Sequence, residues 1–197
     1  MRIKYSVLDN IFEENRKKHI NPSEMKLLLF LVCRQSADGS VRGLRCRGIN
    51  QETGIHYFQV YTAIKSLSER ELIWYERDKC DYGKWDLGVI KNSFDVNKDD
   101  NYLDIDISIL KDIKSANLSV GEQLLYLQFL KCLKYNGIES AYKVNRKAFY
   151  CKYAAFLNVK EDTLQKYIWH LRHFFDIRLR NKMYEIRLLS KIEPGKT

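Results

Sequence analysis

The 197-residue chain is long enough for one large domain or two small ones, and its 45% apolar residues suffice for packed cores, which excludes global disorder. Its 34 Lys and Arg exceed its 25 Asp and Glu, and the formal net charge of +9 points to a polyanionic partner, either nucleic acid or an acidic membrane surface. No window approaches the roughly 20 apolar residues of a membrane span, and Met1 leads into a charged stretch without the apolar core of a signal peptide.

Asn21-Pro22-Ser23-Glu24 reads as a helix start, with Asn as N-cap, Pro in the first turn and Glu placed to close a capping box. Met25, Leu28, Leu29, Val32 and Cys33 then recur at helical spacing. Leu27, Phe30 and Leu31 make this helix apolar nearly all round, so it is expected to be central and buried, ending at Asp38-Gly39. A short strand over 41–46 and a short helix over 47–53 follow, the helix closed by Gly54. The next helix, 56–70, carries Val60, Ala63, Ile64 and Leu67 as its core stripe. Residues 72–77 and 85–90 read as strands joined by a turn over 81–84. The polar, turn-rich stretch around 93–101 is the expected linker between a domain over 1–92 and one over 102–197.

The second half repeats the first. Residues 25–33 align with 124–132 at a constant offset of 99, matching Leu28 to Leu127, Phe30 to Phe129 and Leu31 to Leu130; upstream, Leu8 and Ile11 match Ile107 and Leu110. Two copies of one domain follow from so long a period, since solenoid repeats span roughly 20–50 residues. In the second copy the helices are expected at 120–135, 146–157 and 160–174, with Val144 in the short strand. Asn158 stands where Gly54 stands, the next-best residue for a left-handed turn. The third helix has Leu164, Tyr167, Ile168 and Leu171 inward, and a hairpin turning at Asn181-Lys182 alternates Ile177, Leu179, Ile186 and Leu188 with charges. The fold class is thus mostly α with small β-hairpins (α+β).

Within 49–73, Ile49, Glu52, Gly54, Ile55, Val60, Ala63, Ile64, Leu67, Leu72 and Ile73 occupy the apolar and turn positions of a helix-turn-helix. This stretch resembles that of bacterial winged-helix regulators, departing at Glu71, where a glycine is usual, a change expected to alter the turn only slightly. With 6–11 and 21–33 added, the first domain is similar to those of plasmid and phage replication initiators, including the DnaD-like group. The tandem order is similar to initiators with two winged domains. The resemblance implies two tandem winged helix-turn-helix domains that bind double-stranded DNA, in replication initiation or transcriptional regulation of a mobile element.

A helix held by a tight turn enters the major groove, where base edges are distinguishable. In the first domain, Phe58, Gln59, Tyr61, Thr62 and Lys65 turn outward or to the flanks of the third helix. Arg42, Arg45 and Arg47 precede or begin the second helix, and Lys79 and Lys84 flank the hairpin turn. The second domain presents Thr163, Gln165, Lys166 and Trp169, together with Asp162, His170 and His173, on its third helix. Arg146, Lys147 and Lys152 lie on its second helix, and Arg178, Arg180 and Lys182 on its hairpin. From Lys143 to Thr197 there are 13 Lys and Arg against 5 Asp and Glu, so this half is expected to carry much of the salt-dependent affinity.

Five cysteines, odd in number and without a C-x-x-C pair, fit reduced thiols in a cytoplasm, with Cys33 and Cys132 in cores. Neither a P-loop, a G-x-S-x-G elbow nor an H-E-x-x-H pair is present, so no enzyme, metal or cofactor is expected. Asp99, Asp100, Asp104 and Asp106 read as a solvated acidic linker. The competing expectation is a protein-interaction scaffold anchored by Phe58, Tyr61 and Trp169, with a second copy or the replication or transcription machinery as partner.

Overall fold

The computed structural model describes residues 2–81, 83–94, 101–104, 116–136 and 141–189. The chain is an α+β fold of helices and small antiparallel sheets, divided into two units, Met1–Val120 and Gly121–Thr197.

In the first unit, β1 (Arg2–Lys4) leads into α1 (Tyr5–Lys17) and α2 (Pro22–Arg34). The capping box forms: Asn21 Oδ1 accepts from the Glu24 N–H at 2.9 Å, and the Glu24 carboxylate accepts from the Asn21 N–H at 2.9 Å. Helix α2 buries Met25, Leu27, Leu28, Phe30, Leu31 and Val32, whereas Leu29 and Cys33 are half-buried. It stops at Arg34, before Asp38-Gly39. There the Asp38 carboxylate builds a separate turn by accepting from the Ser40 hydroxyl and N–H and from the Ser36 hydroxyl. Those bonds hold the Asp38 carboxyl well below the usual carboxylate range.

Strand β2 (Ser40–Arg45), helices α3 (Cys46–Thr53) and α4 (Tyr57–Glu69), and strands β3 (Ile73–Arg77) and β4 (Lys84–Val89) follow. Gly54 closes α3 at φ 70°, in the left-handed region that a glycine enters freely. Val60, Ala63, Ile64 and Leu67 are all buried, as the helical spacing requires. Glu71 keeps the left-handed turn itself, at φ 55°. The sheet order is β2-β4-β3, with a bulge between Val41 and Leu44. A buried ion pair ties this unit together. Arg70 lies 3.6 Å from Glu24 and donates to the carbonyls of Lys18 and His19, which pins the end of α4 to the loop after α1.

Residues 102–104, read from the sequence as the start of the second domain, belong instead to the first unit. They form β5 (Tyr102–Asp104), paired antiparallel with β1. The described ends of the expected linker are tied to the same unit: the Phe94 N–H donates to the Ala37 carbonyl at 2.7 Å, and the Tyr5 N–H donates to that of Asn101 at 2.9 Å. Asn92, fully buried, accepts from the Lys4 N–H and donates to the Arg2 carbonyl and to Gln35.

In the second unit, α5 (Val120–Asn136), β6 (Tyr142–Asn145), α6 (Arg146–Leu157), α7 (Glu161–Leu171), β7 (Phe175–Arg180) and β8 (Met183–Leu188) follow in the order seen from α2 onward. The sheet order is β6-β8-β7. Asn158 caps α6 at φ 51°, as Gly54 caps α3. Asn181 and Lys182 turn the hairpin with φ of 48° and 63°, the two-residue geometry that matches strand twist. The core is aromatic: Tyr126, Phe129, Phe149, Tyr153 and Phe175 are fully buried. Ile177 and Ile186 are inward as expected, but Leu179 and Leu188 lie near the hairpin ends and remain exposed, while Tyr184 is buried. Tyr167 is half-buried, its ring so close to Gly121 that an added methyl there would meet it at 2.6 Å. Cys132 is half-buried, and Ile107 and Leu110 lie outside the described residues.

Candidate nucleic-acid interface

Each unit presents a helix after a left-handed turn, α4 after Gly54 and α7 after Asn158, with its outer face in solvent. Packing the apolar stripes inward leaves Phe58, Gln59, Thr62 and Lys65 exposed on α4 and Gln165, Lys166 and Trp169 exposed on α7. Phe58 is 74% exposed and Trp169 62%. Thr163, expected outward, is half-buried. His170 turns back to pair with the buried carboxylate of Glu122 on α5.

Tyr61, expected outward or to the flanks, lies on the flank. It is half-buried against the hairpin, where its hydroxyl accepts from Arg77 at 2.7 Å and its ring meets Trp85 edge-on at 5.0 Å. The Arg77 guanidinium also lies 4.4 Å from the centre of the Trp85 ring. Arg77 thus fastens α4 to the hairpin, a role absent from the sequence reading. Strand alternation offers a signal for it, because Ile73, Tyr75 and Arg77 share one face of β3.

Several predicted cations in the first unit are paired. Asp81 accepts from Arg45 at 2.6 Å and lies 3.5 Å from Lys84. Arg42 pairs with Asp38 at 3.3 Å, and Lys65 stands 3.9 Å from Glu69. Arg47 and Lys79 are exposed and have no carboxylate partner among the described residues. Of the predicted hairpin turn, Tyr82 lies outside the described residues, and the Lys84 N–H donates to the Asp81 carbonyl at 2.8 Å.

The second unit gathers its cations. Asn145 and Arg180 flank Met183 on opposite sides in the sheet register, and the Arg146 N–H donates to the Lys182 carbonyl at 2.8 Å. Arg146 and Lys147 at the start of α6 therefore share one end of the unit with Arg180 and Lys182 at the hairpin tip. All four are exposed, and none meets a carboxylate among the described residues. Arg146 lies over the Tyr150 ring, and Lys152 over Tyr153 and Phe156. Arg178 is set apart by its 2.8 Å pair with Asp176.

No helix among the described residues is long and apolar enough to cross a membrane. Among the same residues, no group of three or more His, Cys, Asp and Glu is placed to hold a metal ion. Asp104 pairs with Arg2, whereas Asp99, Asp100 and Asp106 lie outside the described residues. No protein-family model and no curated protein matches the chain.

Proposed function

We propose that the chain binds double-stranded DNA sequence-specifically through two tandem winged helix-turn-helix domains, in replication initiation or transcriptional regulation of a mobile element. The observation that carries this reading is the twofold occurrence of one arrangement. In each unit, two helices join at a left-handed residue, the outer face of the second helix is open, and an antiparallel hairpin follows. A helix so held suits the major groove, and a hairpin beside it suits the phosphates. The exposed cluster of Arg146, Lys147, Arg180 and Lys182, without a carboxylate partner among the described residues, supports a reading in which the second unit makes most of the phosphate contact. The proposed role is binding rather than catalysis.

The exposed Trp169 supports a second reading in which unit 2 docks a protein instead. Selection of full-length protein on random duplexes, followed by affinity across a salt series, separates the two. The DNA reading expects one enriched motif. It also expects the double variant Arg180→Ala/Lys182→Ala to flatten the slope of log affinity against log salt by about 2. Absence of binding even at low salt would sink it in favour of a protein partner.

A further inference from the structure

The outer face of α4 carries little charge and an unusual amount of apolar surface. Phe58 and Thr62 lie four residues apart on it, so their side chains are neighbours on the helix surface. Phe58 lies outside the core, exposed to solvent. Its ring is stacked on His56 at 5.7 Å with 28° between planes, and Tyr57 meets it edge-on at 5.7 Å. These two rings hold an exposed aromatic face in one orientation, at no gain to the hydrophobic core.

The polar groups beside it are partly committed already. The Thr62 hydroxyl donates its proton to the Phe58 carbonyl at 3.2 Å, which leaves its methyl as the donor-free outer surface. Gln59 Oε1 accepts from the Ser23 hydroxyl at 3.3 Å, so its amide NH2 remains as a donor. The single cation of the stripe, Lys65, stands near Glu69. The face thus offers an aromatic ring, a methyl group and a neutral donor.

Among the base edges of the major groove, only thymine carries an apolar group, its C5 methyl, and next to that methyl it carries the O4 acceptor. Guanine offers acceptors without a methyl, and cytosine offers a donor. We infer that α4 reads thymine: Phe58 and Thr62 contact the C5 methyl, and the Gln59 amide donates to O4. This assignment rests on the DNA-binding reading above and adds the base class that the first unit selects.

The test compares the selected duplex made with thymine against the same duplex made with uracil, which lacks only the methyl. Full-length wild type, Phe58→Ala and Arg180→Ala/Lys182→Ala are titrated against both. Wild type is expected to prefer the thymine duplex by about fourfold for each methyl contacted. Phe58→Ala is expected to bind both duplexes alike with its salt slope unchanged, whereas the double variant keeps the preference and loses slope. Because Phe58 is exposed, its removal leaves the core intact, and an unchanged circular dichroism spectrum checks this.

Equal wild-type affinity for the two duplexes, with a motif enriched and a steep salt slope, overturns the thymine assignment while DNA reading stands. A preference that survives in Phe58→Ala also overturns it, because uracil then acts through duplex shape rather than through this ring. Failure to bind either duplex at low salt removes both readings and leaves α4 as a protein-contact face.

Discussion

The two units share an element order from α2 and α5 onward, yet their hairpin turns are electrostatically different. In the first, Asp81 sits between Arg45 and Lys84 and neutralises the turn from within. In the second, Arg146, Lys147, Arg180 and Lys182 converge without a carboxylate among the described residues. Their cores differ as well. Aligned on the caps Gly54 and Asn158, Ile49 and Cys46 of α3 stand where Tyr153 and Tyr150 stand on α6. Helix α6 starts about one turn earlier than α3 in this alignment, and the added turn carries Phe149. The difference teaches that one layout accepts an aliphatic or an aromatic filling, provided that the filling's polar atoms find partners. Tyr150 and Tyr184 share a hydrogen bond at 2.9 Å, and Tyr142 and Tyr153 share one at 3.1 Å.

The largest effect is expected from removing the ring that the first unit lacks. Phe149 is fully buried among Phe129, Tyr153 and Tyr184, with ring centres 4.6 to 6.0 Å away. Phe149→Ala should cost about 3–5 kcal/mol, a large share of the roughly 5–15 kcal/mol that holds a typical protein folded. Hydrogen exchange followed by mass spectrometry should find the loss of protection in α5, α6 and β8, with α2 and α4 unchanged. Equal loss in both units would break the comparison.

Alkaline pH should separate the units next. Burial, reinforced by the hydrogen bond to Tyr184, pushes the Tyr150 phenol up to about 12. Burial likewise raises Tyr153, helped by the neighbouring Cys132 thiol, and raises Tyr142. An acid whose folded pKa is raised keeps its proton in the native state while the unfolded chain has lost it. The contribution to stability is therefore full below the ordinary tyrosine value near 10, and it falls as pH rises from there towards about 12. Phenolate absorbance rising together with loss of exchange protection in α6 is the expected result. In the first unit, burial raises the Cys33 thiol to about 11, so a smaller decline should begin there at lower pH. Tyrosine ionisation in the second unit near the ordinary value would refute the aromatic-core account.

Much of this was legible in the chain itself, and the parts that were not share a cause. The stripes of α2, α4 and α7 and the caps at Gly54 and Asn158 are local, set by spacing within a helix or by one residue's backbone freedom. The pairing of β1 with β5 joins three-residue strands about a hundred positions apart, and neither carries a pattern that names the other. The same holds for ion pairs. Arg45 and Arg146 look alike as cations beside an apolar run, and only the fold reveals that Asp81 claims the first. Helical spacing puts Tyr61 beside, rather than on, the buried stripe and leaves open whether it points outward or to the flank; the hairpin that covers it arrives from sixteen residues on, where Arg77 bonds its hydroxyl. At Leu179, strand alternation was right about the face but could not tell that the core ends before the hairpin tip.

The smallest effect tests the electrostatic half of the comparison. Asp81→Asn keeps a side chain able to accept the Gly83 N–H, seen here at 3.1 Å, and removes the charge that holds Arg45 and Lys84. All three side chains are substantially solvent-exposed, so folding stability should change by less than about 1 kcal/mol. On the proposed DNA-binding reading, affinity for the duplex should move further. Two cations released from one carboxylate make the first hairpin turn resemble the second, and the salt slope should steepen by about 1 for each added phosphate contact. A steeper slope with unchanged stability would show that charge arrangement, rather than fold, separates the two turns. An unchanged slope would mean that the first unit's hairpin stands away from phosphate whatever its charge, leaving α4 as the contact that the proposed reading assigns to that unit.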